Sequence, residues 1–228
     1  MRRHRQKGKN MIKAVIFDMD GLMIDSERVT YEGYVVECGK LGLKMEEEFY
    51  IRTLGLPLPT VFQMYYEQYG SSFPMEQVLD GVHQYMDERF RKEGVPVKEG
   101  LRELLQYLKN HGYKTVIATS SNRDRVDRIL GQTKLEEYFD SSICGDEIEK
   151  GKPNPDVFLK SCEKAGVKPE EAIVLEDSEA GIQAAYSAGI PVICVPDMKY
   201  PEDGFKEKAG WIVDSLTVVL EMFQKGEL

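Results

Sequence analysis

The sequence lacks paired cysteines and long apolar runs. Its 228 residues include four cysteines, and no two of them have the Cys-x-x-Cys spacing of a zinc site. A dense disulfide framework is equally unexpected, so buried free thiols in a reducing cytoplasm are the favoured interpretation. No stretch approaches the roughly 18 consecutive apolar residues that a membrane span requires. We therefore expect a cytoplasmic protein with no membrane partner.

The sequence also has fewer basic than acidic residues. Asp and Glu number 39 against 30 Lys and Arg, which gives a formal net charge of -9. Nucleic-acid surfaces need clustered lysines and arginines, so no nucleic-acid partner is expected. Segment 1–10 is the exception, because it holds five basic residues and no acidic one. Since it lacks the apolar stretch of a secretory signal, we interpret it as a solvated, disordered arm, and an RNA-binding or targeting role is the alternative.

Four short runs dominated by apolar residues are present, at 13–17, 114–118, 172–175 and 191–195. Runs without polar alternation are typical of strands that are covered on both faces of a parallel sheet. Helix-period patterns lie between them, and several of these patterns end at a glycine. The alternation predicts an α/β fold with a doubly wound parallel sheet.

Segment 27–94 interrupts this alternation. It has two stripes of apolar residues at helical spacing, around 61–69 and 78–90, and no convincing strand. Stripes of this kind usually form the core of a helix bundle. We therefore predict a small α-helical cap domain at 27–94, inserted into an α/β core that is formed by 11–26 and 95–228.

Two pairs of carboxylates directly follow predicted strands. Asp18 and Asp20 precede Gly21 after the first strand, and Glu176 and Asp177 follow the third. Ligands of doubly wound sheets bind at the carboxyl ends of strands, and proteins keep close carboxylates mainly to hold a cation or to divide acid and base roles. With no His or Cys nearby in sequence, Mg²⁺ is favoured over zinc. An ordinary turn and a helix cap are the alternatives for these two motifs.

Hydroxyl groups follow the second predicted strand, in the run Thr119, Ser120, Ser121 and Asn122. Such a run caps a helix or presents the amides of a helix N-terminus to an anion. Lys152 precedes a proline and is therefore predicted in an extended loop. An isolated loop lysine is most often solvated. Asn154 is expected to cap the next helix, with Pro155 as its first residue.

The order of these motifs resembles the haloacid dehalogenase superfamily, most of whose members are Mg²⁺-dependent phosphatases. The segment Phe17–Gly21 is similar to the first motif of that family and Thr119 to the second. Lys152, in Gly-Lys-Pro-x-Pro-Asp, is similar to the third, and Glu176-Asp177-Ser178-x-x-Gly181 to the fourth. The helical insertion is similar to the cap of the β-phosphoglucomutase-like branch.

The resemblance implies a hydrolase that forms an aspartyl-phosphate on Asp18, with Asp20 as general acid and base. The implied site comprises catalytic Asp18, Asp20, Thr119 and Lys152, substrate-binding Gly21, Ser120, Ser121 and Asn122, and the Mg²⁺ ligands Asp18, Asp20 through its carbonyl, Glu176 and Asp177. The implied partner is a small phosphorylated metabolite. We expect a monomer or a weak dimer.

A phosphohexose mutase is the alternative within the family. β-Phosphoglucomutases carry a His five residues after the Asp that matches Asp25, where this chain has Thr30, and an Arg in a Gly-x-x-Arg element, where it has Leu58. Both departures favour hydrolysis of a sugar phosphate or a nucleoside monophosphate. A catalytically silent binding or regulatory protein is the alternative of another class, and the presence of all four motifs argues against it.

Overall fold

A computed structural model describes residues 11–228, which form six β-strands and ten α-helices. The predicted basic arm at 1–10 lies outside the described residues. No helix within 11–228 is both long and apolar enough to cross a membrane.

The strands form a single parallel sheet in the order β3-β2-β1-β4-β5-β6. They are β1 (Ala14–Phe17), β2 (Lys114–Ala118), β3 (Ser141–Ile143), β4 (Ala172–Glu176), β5 (Val192–Cys194) and β6 (Trp211–Ile212). The strand order reverses between β1 and β4, so the carboxyl ends of these two strands border the crevice where such sheets bind ligands. The predicted doubly wound parallel sheet is confirmed.

Four helices lie consecutively between β1 and β2, and we call them the cap helices. They are α1 (Ser26–Lys40), α2 (Glu47–Thr53), α3 (Leu58–Tyr69) and α4 (Met75–Glu93). The remaining helices belong to the α/β part of the chain: α5 (Leu101–Asn110), α6 (Arg123–Thr133), α7 (Asp156–Ala165), α8 (Glu179–Ala188), α9 (Asp203–Lys206) and α10 (Leu216–Gln224). The predicted domain boundaries at 27 and 94 fall within one residue of these helix ends, and the division into two domains stays a prediction.

The central strand explains why the apolar runs are continuous. Along β1, Val15 and Phe17 belong to one buried cluster, while Ala14 and Ile16 belong to another. Successive strand residues point to opposite faces, so both faces of the sheet are covered. The first cluster continues into the cap helices, where Tyr65 is fully buried. A continuous apolar core therefore joins the cap helices to the sheet.

The chain enters and leaves the cap helices through two paired segments. Ile24 forms an antiparallel bridge with Val97, and the Asp25 amide donates to the Pro96 carbonyl at 2.9 Å. The Lys98 ammonium group lies 3.3 Å from the Asp25 carboxylate. These contacts make a short two-stranded ribbon that connects the cap helices to the core.

Two details differ from the sequence-based expectations. The edge strands β3 and β6 were not predicted, because they are two or three residues long and β3 begins with two serines. Helix α7 begins at Asp156, with Pro155 at the capping position, so the expectation that Asn154 caps this helix was wrong. The Asn154 side chain instead donates to the carbonyl of Gly151 at 3.0 Å.

Candidate active site

The parallel sheet brings the predicted motifs together at one edge. Asp18 follows β1, Thr119 follows β2, and Glu176 ends β4. Strands β2 and β4 are the two neighbours of β1 in the sheet. The pairing continues beyond the strand, because the Asp18 amide donates to the carbonyl of Leu175 at 3.0 Å. Three motifs that are remote in sequence therefore share one site.

Asp18, Glu176 and Asp177 form a buried carboxylate cluster. Each offers an oxygen atom that lies within 4.8 Å of the oxygens offered by the other two. Gly21 makes room for this cluster, because its φ is +84° and a Cβ atom there would lie 2.2 Å from Asp177 Oδ2. A side chain at position 21 would therefore collide with Asp177 and would be strained in the left-handed region.

Lys152 is buried in the same cluster. Its Nζ donates to Asp18 Oδ1 and to Glu176 Oε1, both at 2.5 Å, and its side chain is only 6% exposed. The ring of Phe158 lies beneath the ammonium group, with its centroid 5.0 Å from Nζ. The solvated position that is usual for a loop lysine is thus not adopted here.

The beginning of α8 fixes the position of Glu176. Its Oε2 accepts hydrogen bonds from the amides of Asp177 and Ser178, at 2.9 and 2.8 Å, and from the Ser178 hydroxyl at 2.9 Å. A Cβ atom at Gly181 would lie 1.8 Å from Glu176 Oε1, so α8 approaches this carboxylate closely. Ser178 also caps α8 by accepting from the Gly181 amide. The helix cap that was the alternative for this motif is therefore present, and the cation-binding role of Glu176 and Asp177 stays a prediction.

Asp20 is hydrogen-bonded by α6 and by the loop that precedes it. It accepts from Ser121 Oγ at 2.7 Å and from Arg125 Nη2 at 2.7 Å. Burial opposes ionisation, but the Arg125 charge and the hydrogen bonds from Arg125 and Ser121 hold the pKa of Asp20 below its ordinary value. Arg125 was not predicted from the sequence. The only indication of its role was its position in the first turn of a helix that follows a motif.

The loop between β2 and α6 places the predicted hydroxyl groups. Thr119 is buried, and its Oγ1 accepts from the Ser121 amide at 3.1 Å. Asn122 caps α6 by accepting from the Arg125 amide at 2.9 Å, and Ser120 is exposed. The structure therefore brings Thr119 and Ser121 to the site, while the Asn122 side chain stabilises the helix.

Residues 15–195 match the family model described as haloacid dehalogenase-like hydrolase. The chain belongs to this family. The resemblance inferred from the four motifs is thereby confirmed, and the matched region contains every predicted site residue of the hydrolase.

Relatives of the hydrolase include named phosphatases. A phosphorylated carbohydrates phosphatase of Thermotoga maritima is 34% identical, over 78% of this chain and 82% of that protein. Hexitol phosphatase B of Escherichia coli is 30% identical, over 81% of this chain and 84% of that protein. A solved Thermotoga maritima structure, described provisionally as a beta-phosphoglucomutase, is 30% identical with a TM-score of 0.78, and the match covers 94% of this chain and 99% of that one. The hydrolase is an enzyme of the phosphatase branch.

The charge of the buried cluster suits a divalent cation. Burial and the charge of Glu176 raise the pKa of Asp18 to about 8 against the opposing effect of Lys152, and burial raises the pKa of Asp177 well above its ordinary value. Three carboxylates thus face one lysine, and their ionisation leaves negative charge uncompensated. An all-oxygen donor set of this kind fits a hard divalent cation.

A cleft of about 520 Å³ opens from Asp20 between the core and the cap helices. This volume is typical of sites for small molecules. Core residues of its lining include Asp20, Ser121, Asn122, Arg125 and Arg128, and cap residues include Glu27, Thr30, Tyr50, Leu79, Val82, His83, Met86 and Asp87. Burial and the nearby Asp197 carboxylate raise the pKa of Glu27 to about 8. Glu27 therefore adds little negative charge to the cleft near neutral pH.

Proposed function

We propose that the hydrolase is a Mg²⁺-dependent phosphatase that acts on a small phosphomonoester, such as a sugar phosphate or a nucleoside monophosphate. The observation that carries the proposal is the burial of Lys152 between Asp18 and Glu176, beside Asp177. Asp20, two residues after Asp18, lines the cleft. The names of two relatives, a phosphatase of phosphorylated carbohydrates and a hexitol phosphatase, support a phosphorylated sugar or polyol as the substrate.

Catalysis begins with attack of an Asp18 oxygen on phosphorus. The new Asp18–phosphorus bond forms as the bond to the leaving oxygen breaks, and Asp20 gives that oxygen a proton. Because Asp20 is paired with Arg125 in the structure, this pairing must loosen when Asp20 carries the proton. Water then attacks phosphorus while Asp20 takes the water proton, the Asp18–phosphorus bond breaks, and inorganic phosphate leaves with the Asp18 carboxylate restored.

Charge neutralisation is the main physical demand of the first step. A carboxylate and a phosphate 4 Å apart repel by about 4 kcal/mol at an effective dielectric constant near 20. Lys152 and the Thr119 hydroxyl hold the phosphoryl oxygens and reduce this repulsion. Mg²⁺, held by Asp18, Asp177, the Asp20 carbonyl and Glu176, supplies further neutralisation of the phosphoryl charge when bound.

Two cap positions support hydrolysis over mutase activity. The Thr30 hydroxyl donates to the Ser26 carbonyl at 2.8 Å and is therefore engaged within α1. Leu58 is 60% exposed at the start of α3 and brings no cation to the cleft. A phosphohexose mutase remains the second candidate because of the relative described provisionally as a beta-phosphoglucomutase.

A panel of phosphomonoesters, assayed with Mg²⁺ and with EDTA, tests the proposal. We expect phosphate release with Mg²⁺, its loss in EDTA, and its recovery when Mg²⁺ is restored in excess. Absence of hydrolysis across the whole panel would support the silent binding protein. Conversion of a sugar 1-phosphate to its 6-phosphate with a bisphosphate activator, without phosphate release, would establish the mutase.

Replacing Asp20 with Ala is expected to slow the hydrolysis of alkyl phosphates far more than that of p-nitrophenyl phosphate. The reason is that a poor leaving group needs the proton, and general acid catalysis contributes about 10²- to 10⁴-fold. Steady-state kcat for both substrates provides the measurement. Asp127→Ala on the exposed side of α6 is the control, since within residues 11–228 the ion-pair partner of Asp127 is Arg123, away from Asp20. Equal losses on the two substrates would contradict the acid role of Asp20.

A further inference from the structure

Two arginines of α6 line the cleft, and each faces a carboxylate. Arg125 and Arg128 are three residues apart and therefore neighbours on one face of the helix. Arg125 Nη2 lies 2.7 Å from Asp20 Oδ1, and Arg128 Nη1 lies 3.3 Å from Asp87 Oδ1 on cap helix α4. The second pair is an ion pair that crosses from the core to the cap.

The Arg128–Asp87 ion pair separates the cleft from a second hollow. That hollow has a volume of about 410 Å³, and its lining includes Arg128, Asp87, Glu88 and Arg91. Because Arg128 and Asp87 line both spaces, a leaving group that extends along the cleft away from Asp20 meets this ion pair.

Both arginines that line the cleft are already paired with carboxylates in the structure. Among the described lining residues, Arg125 and Arg128 are matched by Asp20 and Asp87. A carboxylate or a second phosphate placed beside Arg128 would therefore meet Asp87, which already pairs with that arginine. In the neighbouring hollow Glu88 pairs with Lys92 at 2.9 Å and not with Arg91, so this repulsion applies to groups within the cleft.

A neutral polyol, in contrast, can bind favourably beside the Arg128–Asp87 ion pair. A hydroxyl group both donates and accepts, so it can accept from Arg128 while donating to Asp87. Leu79, Val82 and Met86 of α4 add apolar lining that suits a carbon chain. We propose that the Arg128–Asp87 ion pair is a specificity determinant that favours phosphorylated neutral polyols and disfavours substrates with a second anionic group. This inference rests on the proposed phosphatase function.

Glucitol 6-phosphate and 6-phosphogluconate form a matched pair of test substrates, because they differ only in an alcohol or a carboxylate at the end far from the phosphate. The measurement is the ratio of kcat/KM for the two compounds, with Mg²⁺ present. We expect the unaltered protein to prefer glucitol 6-phosphate by about tenfold, the scale of one uncompensated charge contact near solvent.

Two variants break the same ion pair with opposite changes of charge. Asp87→Asn removes the repelling carboxylate and frees Arg128, so the preference is expected to fall about fivefold, the scale for a pair of half-exposed charges. Arg128→Gln leaves Asp87 unpaired, so the preference is expected to rise by a similar factor. If the pair served only to hold the cap, both variants would shift the ratio in the same direction. Glu67→Gln on exposed α3 is the control and should leave the ratio unchanged.

Equal or better hydrolysis of 6-phosphogluconate by the unaltered protein would overturn this inference, as would a shift of both variants in one direction. If p-nitrophenyl phosphate is hydrolysed with Mg²⁺ while the ratio fails these expectations, the phosphatase function stands and only the specificity assignment falls. If no phosphomonoester is hydrolysed, both proposals fall together.

Discussion

Replacing Asp18 with Asn is expected to abolish turnover while stabilising the metal-free protein. The amide is not a nucleophile, and losing a catalytic nucleophile costs roughly 10⁴-fold or more in kcat. The amide oxygen keeps the shape of the side chain and still accepts from Lys152, so the fold should be unaffected. Phosphate release from the best substrate of the panel measures the loss, and a variant that kept most of its activity would refute the nucleophile assignment.

The gain in stability follows from the raised pKa of Asp18. Its ordinary value is 3.8, and the folded protein raises it to about 8. A carboxyl group with a raised pKa stabilises the fold below its ordinary pKa, and this contribution is lost as the pH rises through the folded value. Metal-free protein should therefore lose stability between pH 4 and pH 8, and the Asn variant should lose less. At pH 8 we expect its Tm to be a few degrees higher, since about 1 kcal/mol corresponds to roughly 2–4 °C at this size.

Asp140→Asn provides the matched control. Asp140 is largely exposed and accepts hydrogen bonds from Lys114 and the Thr115 amide. Its partial burial opposes ionisation, but these hydrogen bonds hold the pKa of Asp140 below its ordinary value. The same chemical change there should slightly lower stability at pH 8. Equal Tm values for unaltered protein and Asp18→Asn in EDTA would show that the cluster carries no excess charge.

Replacing Lys152 with Met is expected to produce the largest loss of stability. Methionine fills a similar volume, but Asp18, Glu176 and Asp177 then have no buried cation among them. Burial opposes the charge of Lys152, yet the two carboxylates that it contacts raise its pKa overall, so the ammonium form is firmly held. Removing one partner of a buried ion pair costs about 3–5 kcal/mol. Urea denaturation in EDTA measures this loss, and turnover should be lost as well.

Two comparisons sharpen this experiment. Lys114→Met breaks an ion pair with Asp140 in which both side chains are well exposed, so it should cost about 1 kcal/mol or less. Adding Asp18→Asn to Lys152→Met should recover part of the stability, because contacting groups are not independent. Similar losses for the two lysine variants would contradict a charge-compensating role for Lys152.

The sheet and the strand-end motifs were predictable because their causes are local. Continuous apolar runs require cover on both faces, and parallel strands align their carboxyl ends, so Asp18 and Glu176 had to meet at one edge. The same reasoning could not find β6, because it has only two residues and, as an edge strand, pairs with β5 on one side. Nor could it show Lys152 to be buried, because its partner Asp18 is 134 positions away in the chain.

The cleft residues were beyond sequence reasoning for a different reason. Arg125 and Arg128 are ordinary helix residues, and only the rotation of α6 about its axis directs them towards Asp20 and Asp87. That rotation is set by which residues of α6 enter the core, including Val126 and Ile129. The side chains that we propose to contact the leaving group thus depend on tertiary packing, whereas those that we propose to contact the phosphate follow the strand ends.

The two-stranded ribbon formed around Ile24 and Val97 has an evolutionary consequence. Because both ends of the inserted helices leave the core at one place, helices can be lengthened, exchanged or removed there without altering the connectivity of the sheet. Insertions are tolerated where the chain ends of the inserted unit lie close together. We therefore expect the cap helices and the α/β part of the chain to diversify at different rates, since the chain passes from one to the other at this ribbon.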